Sequence, residues 1–295
     1  MLQQEQQMNV LSGKDESKNK TTHLERTIHL ERQKVTISSR IIGIEQETPT
    51  VKTFKFSPTS SSQQFSFLPG QWLDVFLLNV PIVGGFSLTS TPQTFTKTKT
   101  FELAIKYSGH PPAKWLHEQA NIGDEINARV GGEFVWNSSK EKQDQTGHVI
   151  FIAGGVGINP LISMLESICQ DILSVEENNQ NEKIEKIILL YSVRTFSELL
   201  FYKRIEGLQQ QFPGLLECKY FLTRDAPQDQ RSDSEFYYQQ RINEEILAKV
   251  VEKEKEHLER LKCFVCGPSE MEDDVIKWLK ESGVEEKRVL FEKWW

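Results

Sequence analysis

The segment that most strongly indicates the fold of this chain is His148-Val-Ile-Phe-Ile-Ala-Gly-Gly-Val-Gly-Ile-Asn-Pro-Leu-Ile-Ser-Met-Leu165. Its apolar run predicts a buried strand, and the glycines that follow predict a turn into a helix that carries a proline in its first turn. Glycine permits a positive φ and a close backbone approach, and the N–H groups at a helix start attract phosphate. The stretch therefore indicates a dinucleotide-binding turn, although a plain tight turn would use similar residues. The candidate contacts are Gly154, Gly155, Gly157, Asn159 and Pro160.

The composition favours a globular protein of two domains. The chain has 295 residues, of which 38% are hydrophobic and 26% are charged. A net charge of −7 provides no broad attraction to nucleic acid or to anionic membranes. No transmembrane segment is predicted, because residues 149–165 are too short and contain three glycines and a proline. Four cysteines do not make a disulfide scaffold, and they suggest a reducing compartment.

The first 34 residues are expected to form a disordered arm. The segment from Met1 to Lys20 is polar and lacks the apolar region of a secretory signal. A mitochondrial presequence is rich in arginine and poor in acids, whereas here Glu5, Asp15 and Glu16 precede the first arginine. A cytoplasmic location is therefore expected, with the mitochondrion as the alternative.

Residues 35–137 predict a small antiparallel β-barrel. Short β-rich runs alternate with turn residues, as in half-buried antiparallel strands. The predicted strands are Val35–Ile44, Val51–Phe56, Gln71–Leu78, Phe86–Thr89 and Thr100–Tyr107, and one helix is predicted over Ala113–Asn121. The polar residues 138–147 are the expected linker to a second domain.

A mixture of glycine, aromatic and hydroxyl residues marks Gly84 to Ser90 within this barrel. A planar ring could stack on Phe86, while Ser87 hydrogen-bonds one of its nitrogens. A hydroxyl-rich strand edge has the same composition, and the residues alone do not separate these two interpretations.

Residues 148–295 predict a doubly wound α/β domain with a parallel sheet. Strands and helices alternate, and the strand over Glu185–Val193 is apolar on both faces. The further strands are Leu215–Leu222, Lys262–Cys266 and Arg288–Phe291, and the helices are Ser197–Gln211, Asn243–Arg260 and Ser269–Ser282. Polar loops are expected over Glu176–Lys183 and Asp225–Glu235. Ligands of such sheets bind at the carboxyl ends of the strands.

Three of these strand ends carry candidate ligand contacts. Arg194 follows one strand, Thr223 and Arg224 end the next, and Cys266-Gly-Pro268 ends a third. Arginines at two strand ends could bind phosphate or ribose oxygens, although each alone could also be a surface residue. Arg224 could accept a 2′-phosphate while the adjacent Asp225 would repel one, so NAD and NADP both remain open.

Cys263-Phe-Val-Cys266 matches the C-x-x-C spacing, but positions three apart on a strand point to opposite faces. These thiols are therefore not expected to meet. No second cysteine pair completes a zinc site, and no metal is predicted.

Taken together and in this order, the motifs from Val35 to Trp295 resemble the ferredoxin–NADP reductase superfamily. The ends Val83-Gly-Gly-Phe-Ser87 and Phe291-Glu-Lys-Trp-Trp295 are similar to the oxidoreductase NAD-binding-domain-containing proteins. The resemblance implies FAD and NAD or NADP as cofactors. It implies that Phe86 and Ser87 meet the flavin ring, that Glu292 and Cys266 line the point of hydride transfer, and that Trp294 or Trp295 covers the flavin. The glycine turn, Arg194, Thr223 and Arg224 would bind the nicotinamide dinucleotide, and Gly267 and Pro268 would flank its nicotinamide.

Two positions depart from the family pattern. The arginine that pairs with the flavin pyrophosphate is replaced by Gly84, and a small hydroxyl residue near the helix aromatic Trp115 is replaced by Ala113. Lys106 or Lys114 could compensate for the lost charge.

The function predicted is a flavin-dependent oxidoreductase that transfers hydride between NAD(P)H and FAD and then passes electrons to a protein or small-molecule acceptor. Ser87, Cys266, Glu292 and Trp294 are its candidate catalytic residues. Two alternatives are a dinucleotide-binding or sensing module that has lost flavin and catalysis, and a structural α/β protein without a ligand.

Overall fold

The computed structural model describes residues 22–60, 65–174, 184–225 and 237–294. Its amino-terminal half contains a short helix, α1 (His23–Arg26), and six antiparallel strands. The strands are β1 (Ile37–Thr48), β2 (Val51–Pro58), β3 (Trp72–Leu77), β4 (Val80–Ser87), β5 (Phe101–Lys106) and β6 (Glu125–Gly131). Their order is β4-β3-β6-β1-β2-β5, and a bridge between Leu88 and Leu103 brings the two outer strands together. The predicted antiparallel barrel is confirmed.

Three local features of this half differ from the prediction. The strand β6 was not predicted, and β4 begins at Val80 because Asn79 adopts a positive φ of 63° in the preceding turn. Residues 92–98 form a helix, α2 (Pro92–Thr98), in place of a turn. The side chain of Thr91 accepts a hydrogen bond from the N–H of Thr94, which caps α2 at its start. A further helix, α3 (Pro111–Glu118), follows β5.

The carboxy-terminal half is a parallel sheet covered by helices on both faces. After α4 (Ser138–Gln143) its elements are β7 (His148–Gly154), α5 (Ile158–Ser174), β8 (Lys186–Thr195), α6 (Tyr202–Gln211), β9 (Leu216–Asp225), β10 (Tyr237–Tyr238), α7 (Glu244–Lys253), β11 (Leu261–Pro268), α8 (Ser269–Glu281) and β12 (Val289–Trp294). The strand order is β10-β9-β8-β7-β11-β12, which confirms the doubly wound parallel sheet. Every helix among the described residues is too short or too polar to span a membrane.

The strand order alone indicates where a ligand crevice lies in this half. The chain moves outward from β7 to β8 on one side and returns to β11 on the other side. The carboxyl ends of β7 and β11 therefore flank the point at which the winding reverses, where doubly wound sheets bind ligands. The expected loops Glu176–Lys183 and Asp225–Glu235 fall almost entirely outside the described residues, and α6 begins at Tyr202 rather than Ser197.

The prediction of a disordered arm is wrong for residues 22–34, whereas residues 1–21 lie outside the described part. Thr22 and Glu25 form a capping box at α1, and the His23 side chain is buried. His23 Nε2 lies 3.1 Å from Asp74 Oδ1, and Arg32 Nε lies 2.9 Å from Asp74 Oδ2. We call residues 22–34 the strap, because these contacts tie the segment across the outer face of β3.

Asp74 is the anchor of the strap. Burial alone would raise the pKa of its carboxyl group, but hydrogen bonds from His23, Arg129 and Arg32 outweigh burial and lower the pKa. The Asp74 carboxylate therefore stays charged beside Arg32 and Arg129. The Nη2 atom of Arg129 lies 2.6 Å from Asp74 Oδ2. Sequence patterning missed this cluster because its members come from three distant segments.

The expected linker, residues 138–147, is also folded. Its first part is the helix α4, and Glu141 in that helix is buried. Lys262 Nζ on β11 lies 2.8 Å and 2.7 Å from the two carboxylate oxygens of Glu141. Because a buried lysine needs a counter-charge, Lys262 holds this polar segment against the sheet.

The helix α5 joins the two halves through a row of hydrogen bonds along one face. Asn159 Nδ2 donates to the Ala104 carbonyl over 2.7 Å, and Ser163 Oγ donates to the Ser90 carbonyl over 2.7 Å. One turn further, Ser167 Oγ donates to Gln93 Oε1 over 3.0 Å. The spacing of four residues keeps these donors on one helix face, and they fix the edge of the barrel against the start of α5.

Candidate functional site

The glycine turn has the geometry that its sequence predicts. Gly154 ends β7, Gly155 to Gly157 form a single 3-10 turn, and α5 begins at Ile158 with Pro160 in its first turn. Gly155 has a φ of +55°, which glycine adopts without strain. A Cβ at Gly157 would overlap the carbonyl oxygen of Cys266. The turn therefore lies directly against the end of β11.

The Cys266-Gly267-Pro268 segment meets this turn at the reversal point of the sheet. Cys266 is the register partner of Ala153 on one side and of Glu292 on the other. A Cβ at Gly267 would lie 3.1 Å from the Cα of Gly154. Cys266 Sγ also lies 3.6 Å from the Glu292 carbonyl oxygen. The structure thus brings together the predicted glycine turn, Cys266 and Glu292.

Cys266 is a neutral thiol. Burial, followed by the nearby carboxyl groups of Glu292 and Glu272, raises the pKa of this thiol well above its ordinary value. The Cys266 side chain is fully buried, and such a thiol does not act as a thiolate nucleophile at neutral pH. Cys263 belongs to the hydrophobic cluster on the opposite face of the sheet, and all four cysteines are unpaired. The prediction that Cys263 and Cys266 do not meet is confirmed.

Glu272, in the first turns of α8, is a residue that the sequence reading missed. Its Oε1 accepts a hydrogen bond of 2.9 Å from the N–H of Gly267, and its buried Oε2 has no partner. Burial raises the pKa of Glu272 to about 7, against the opposing effects of Gly267 and Lys293. The acidic residue just after the Gly-Pro turn was the available signal, but its burial could not be read from the sequence.

Arg194, Thr223 and Arg224 lie at the carboxyl ends of the adjacent strands β8 and β9, as expected. The two arginine side chains are exposed, and Thr223 is half-buried. The N–H of Arg194 donates to Glu198 Oε2 over 3.3 Å. These residues share one sheet edge with the glycine turn, which is the arrangement that an extended ligand requires.

Asn159 corrects one part of the predicted site. Its side chain is buried and its amide nitrogen donates to the Ala104 carbonyl of the barrel. Asn159 is therefore a contact between the two halves rather than an accessible ligand contact. The contact has a consequence for the site, because it holds β5 next to the glycine turn.

Phe86 and Ser87 lie at the end of β4, on the seam between the halves. The bridge from Leu88 to Leu103 joins this end of β4 to β5, the strand that Asn159 holds. Phe86 is half-buried, Ser87 is buried, and Trp72 is the register partner of Ser87. The end of β4 and the predicted dinucleotide turn therefore both lie beside β5.

A cavity of about 500 Å³ opens beside Trp72, between the strap and β12. Its apolar walls include Trp72, Phe134 and Phe291, and Glu292 also lines it. The strap contributes a further wall through Arg26, Thr27, His29 and Leu30, and Glu133, Val289, Leu290 and Lys293 complete the lining. The backbone of Trp294 pairs with Pro268, which brings the end of β12 to the same place, and Trp295 lies outside the described residues. Sequence reading missed the strap and Trp72 as parts of this site.

An antiparallel barrel docked on a doubly wound sheet, with a glycine turn at the reversal point, defines a two-part nucleotide-binding module. Residues 151–277 match the family profile described as the oxidoreductase NAD-binding domain. The chain belongs to the family of the oxidoreductase NAD-binding domain-containing protein 1. The member from Pongo abelii is 37% identical over 286 residues, covering 95% of this chain and 86% of that protein. The member from Danio rerio is 34% identical over 279 residues, covering 95% and 99%.

The fold is shared with solved structures of reductases. A ferredoxin NADP+ reductase from Neisseria gonorrhoeae, with bound FAD and NADP, superimposes with a TM-score of 0.65 at 21% identity. The match covers 88% of this chain and 99% of that one. The resemblance of the sequence to the ferredoxin–NADP reductase superfamily is thereby confirmed at the level of the fold.

Proposed function

We propose that this chain is a flavin-dependent oxidoreductase that moves hydride between NAD(P)H and a flavin and passes the electrons to a protein or small-molecule acceptor. One observation carries the proposal: Gly157 is seated on the Cys266 carbonyl, and Cys266 Sγ lies 3.6 Å from the Glu292 carbonyl at the reversal point of the sheet. In the proposal, this assembled edge would face the barrel residues Phe86 and Ser87. Family membership and the shared fold support the same class of reaction.

The dinucleotide would lie along the carboxyl edge of the parallel sheet. The first turn of α5 and the backbone of Gly154 to Gly157 would receive its pyrophosphate. Arg194, Thr223 and Arg224 would bind its ribose and phosphate oxygens. Gly267 and Pro268 would flank the nicotinamide, and Cys266 would border it as a neutral thiol.

The flavin ring would lie on the barrel side of the seam. A bound flavin supplies an acceptor for hydride at its N5 atom. Phe86 offers an aromatic face for the ring, and the Ser87 hydroxyl can hydrogen-bond a ring nitrogen. Glu292 and the end of β12 with Trp294 would close the site against water. Excluding water would protect the hydride transfer from side reactions with solvent. Four buried, unpaired cysteines suit a reducing compartment, and the proposed location is the cytoplasm, with the mitochondrion as the alternative.

Anaerobic reduction of added flavin tests the proposal. FAD is mixed with the protein, NADH or NADPH is added, and the visible absorption of the flavin is followed. The proposal expects bleaching that depends on the protein. Dinucleotide binding by calorimetry with no flavin reduction would reject it and identify a dinucleotide-binding module instead.

A further inference from the structure

We propose that this protein recognises flavins by the ring rather than by the diphosphate, so that riboflavin, FMN and FAD are exchangeable substrates and not resident cofactors. The inference rests on the proposed function and names its substrate class. It follows from a contrast within one site. The surfaces that would meet a ring are present, and those that would meet a diphosphate are filled or lack donors.

Gly84 leaves no room for a cationic side chain. A Cβ at this position would lie 2.5 Å from Cε2 of Phe86 and 2.9 Å from Cβ of Pro112. At the next position, the His23 ring of the strap occupies the space in which a side chain of Gly85 would begin. Neither residue can present a donor to a phosphate without displacing a packed ring. The glycines therefore serve the packing of Phe86 and His23.

The start of α3, next to Gly84, is also a poor anion site. Pro111 and Pro112 have no N–H groups, and the N–H of Lys114 is bonded to the His110 carbonyl. Ala113 is 3% exposed and its side chain belongs to the barrel core. The anion-binding capacity of a helix start comes from such N–H groups, and here the first turn has lost most of them.

The two arginines of the strap cluster, Arg32 and Arg129, are already committed to Asp74. Arg32 and Arg129 both hold Asp74 Oδ2, at 2.9 Å and 2.6 Å. Arg32 also donates through Nη1 to the Thr27 carbonyl over 2.7 Å. Burial and the neighbouring His23 lower the pKa of His110, which keeps its ring uncharged at neutral pH. A diphosphate at this face would have to break the cluster that ties down the strap.

The ring side of the same site is intact. Phe86 and Ser87 end β4, and Trp72 beside Ser87 borders the cavity of about 500 Å³. The aromatic side chains of Trp72, Phe134 and Phe291 line this cavity beside polar groups, and a pocket of this size and composition can hold a planar small molecule. In the reaction, the dinucleotide gives up a hydride, the ring takes the hydride and one proton from solvent, and the products are oxidised dinucleotide and a dihydroflavin that leaves the site.

Flavin affinities test the inference without reference to turnover. The Kd values of riboflavin, FMN and FAD are measured by fluorescence quenching, and they are expected to agree within roughly fivefold. A held diphosphate makes several charge-assisted hydrogen bonds, each worth about tenfold or more in affinity. FAD binding at least tenfold tighter than riboflavin, or FAD that copurifies in stoichiometric amount, would overturn the inference.

Two variants show whether the protein binds the ring or the diphosphate of a flavin. Phe86→Leu should weaken all three flavins by a similar factor, with NAD+ affinity as the check that the fold is retained. A double variant of the exposed lysines, Lys106→Ala with Lys114→Ala, should leave FAD affinity unchanged. A selective loss of FAD affinity in the double variant would show that the diphosphate is bound and would contradict the inference. If none of the three flavins binds to the wild-type chain, the proposed function fails as a whole, which is a different outcome.

Discussion

The absence of a side chain at Gly157 allows two turns of the candidate site to pack against each other. The carbonyl oxygen of Cys266 occupies the place where a Cβ of residue 157 would lie. The glycine turn and the Cys-Gly-Pro turn can therefore touch, and Cys266 reaches Glu292 from the same position. Packing at one residue thus controls the distance between the glycine turn and the Cys-Gly-Pro turn.

Substituting Gly157 by alanine should move the two turns apart. We expect NAD+ affinity to fall by at least roughly tenfold, because displaced backbone donors lose charge-assisted bonds worth about 1.5–3 kcal/mol. Calorimetric titration with NAD+ measures the effect. Gly207→Ala in α6 is the matched control, since a Cβ there meets open space. An unchanged NAD+ affinity in Gly157→Ala would contradict the account of this contact.

Glu272 should make folding stability depend on pH. Burial raises its pKa from 4.5 to about 7, so the folded state holds a proton that the unfolded state has released. The stability that the folded protein gains by binding this proton is fully present below the pKa of Glu272 in the unfolded state. It is lost as the pH rises through the pKa of Glu272 in the folded state. The shift corresponds to about 3 kcal/mol.

The variant Glu272→Gln isolates that contribution, since glutamine keeps an acceptor for the Gly267 N–H. Urea unfolding at about pH 5 and about pH 8 should show that the wild type loses about 3 kcal/mol more than the variant over this range. Equal pH dependence in the two proteins would mean that Glu272 is not a buried, protonated group.

The strap is the element that sequence patterning describes least well. Its charged residues look like a solvated segment, yet His23 and Arg32 converge on Asp74. Asp74 itself sits in a strand whose alternation is otherwise easy to read. Tertiary contacts between distant segments decide such cases, and a single sequence does not display them.

Replacing Asp74 by alanine should release the strap. The substitution leaves Arg32 and Arg129 without their shared carboxylate, and we expect unfolding free energy to fall by about 3 kcal/mol. Glu125→Ala is the control, because its pair with Arg40 is half exposed and should change stability by less than about 1 kcal/mol. Chemical denaturation compares the two. A loss as small as that of the control would show that the strap is not anchored here.

Other elements were predictable because their signals are local. The strand, glycine turn and helix from His148 onward follow from periodicity and from the residues that turns require, and the structure contains all three. The helix α4 was not predicted because its sequence is polar. The buried ion pair between Glu141 and Lys262, which holds α4 against the sheet, is not visible in the sequence. Asn159 was assigned to the ligand because its position in the motif does not reveal that Ala104 lies beside it.

At the scale of the whole molecule, the helix α5 sets the relation between the two halves. Its first turn belongs to the dinucleotide turn, and its polar face bonds to the barrel through Asn159, Ser163 and Ser167. The seam that results holds β5 and the adjoining end of β4 next to the dinucleotide turn. Hydride transfer between two separately bound rings requires such a fixed juxtaposition.

The measurement that tests this account most directly is an anaerobic titration of the protein and added FAD with NADH or NADPH, followed by the visible flavin spectrum. The account predicts that the flavin band bleaches in proportion to the reduced dinucleotide, that bleaching needs the protein, and that Gly157→Ala slows it. A flavin band that stays oxidised while both reduced dinucleotides remain unconsumed would contradict the account.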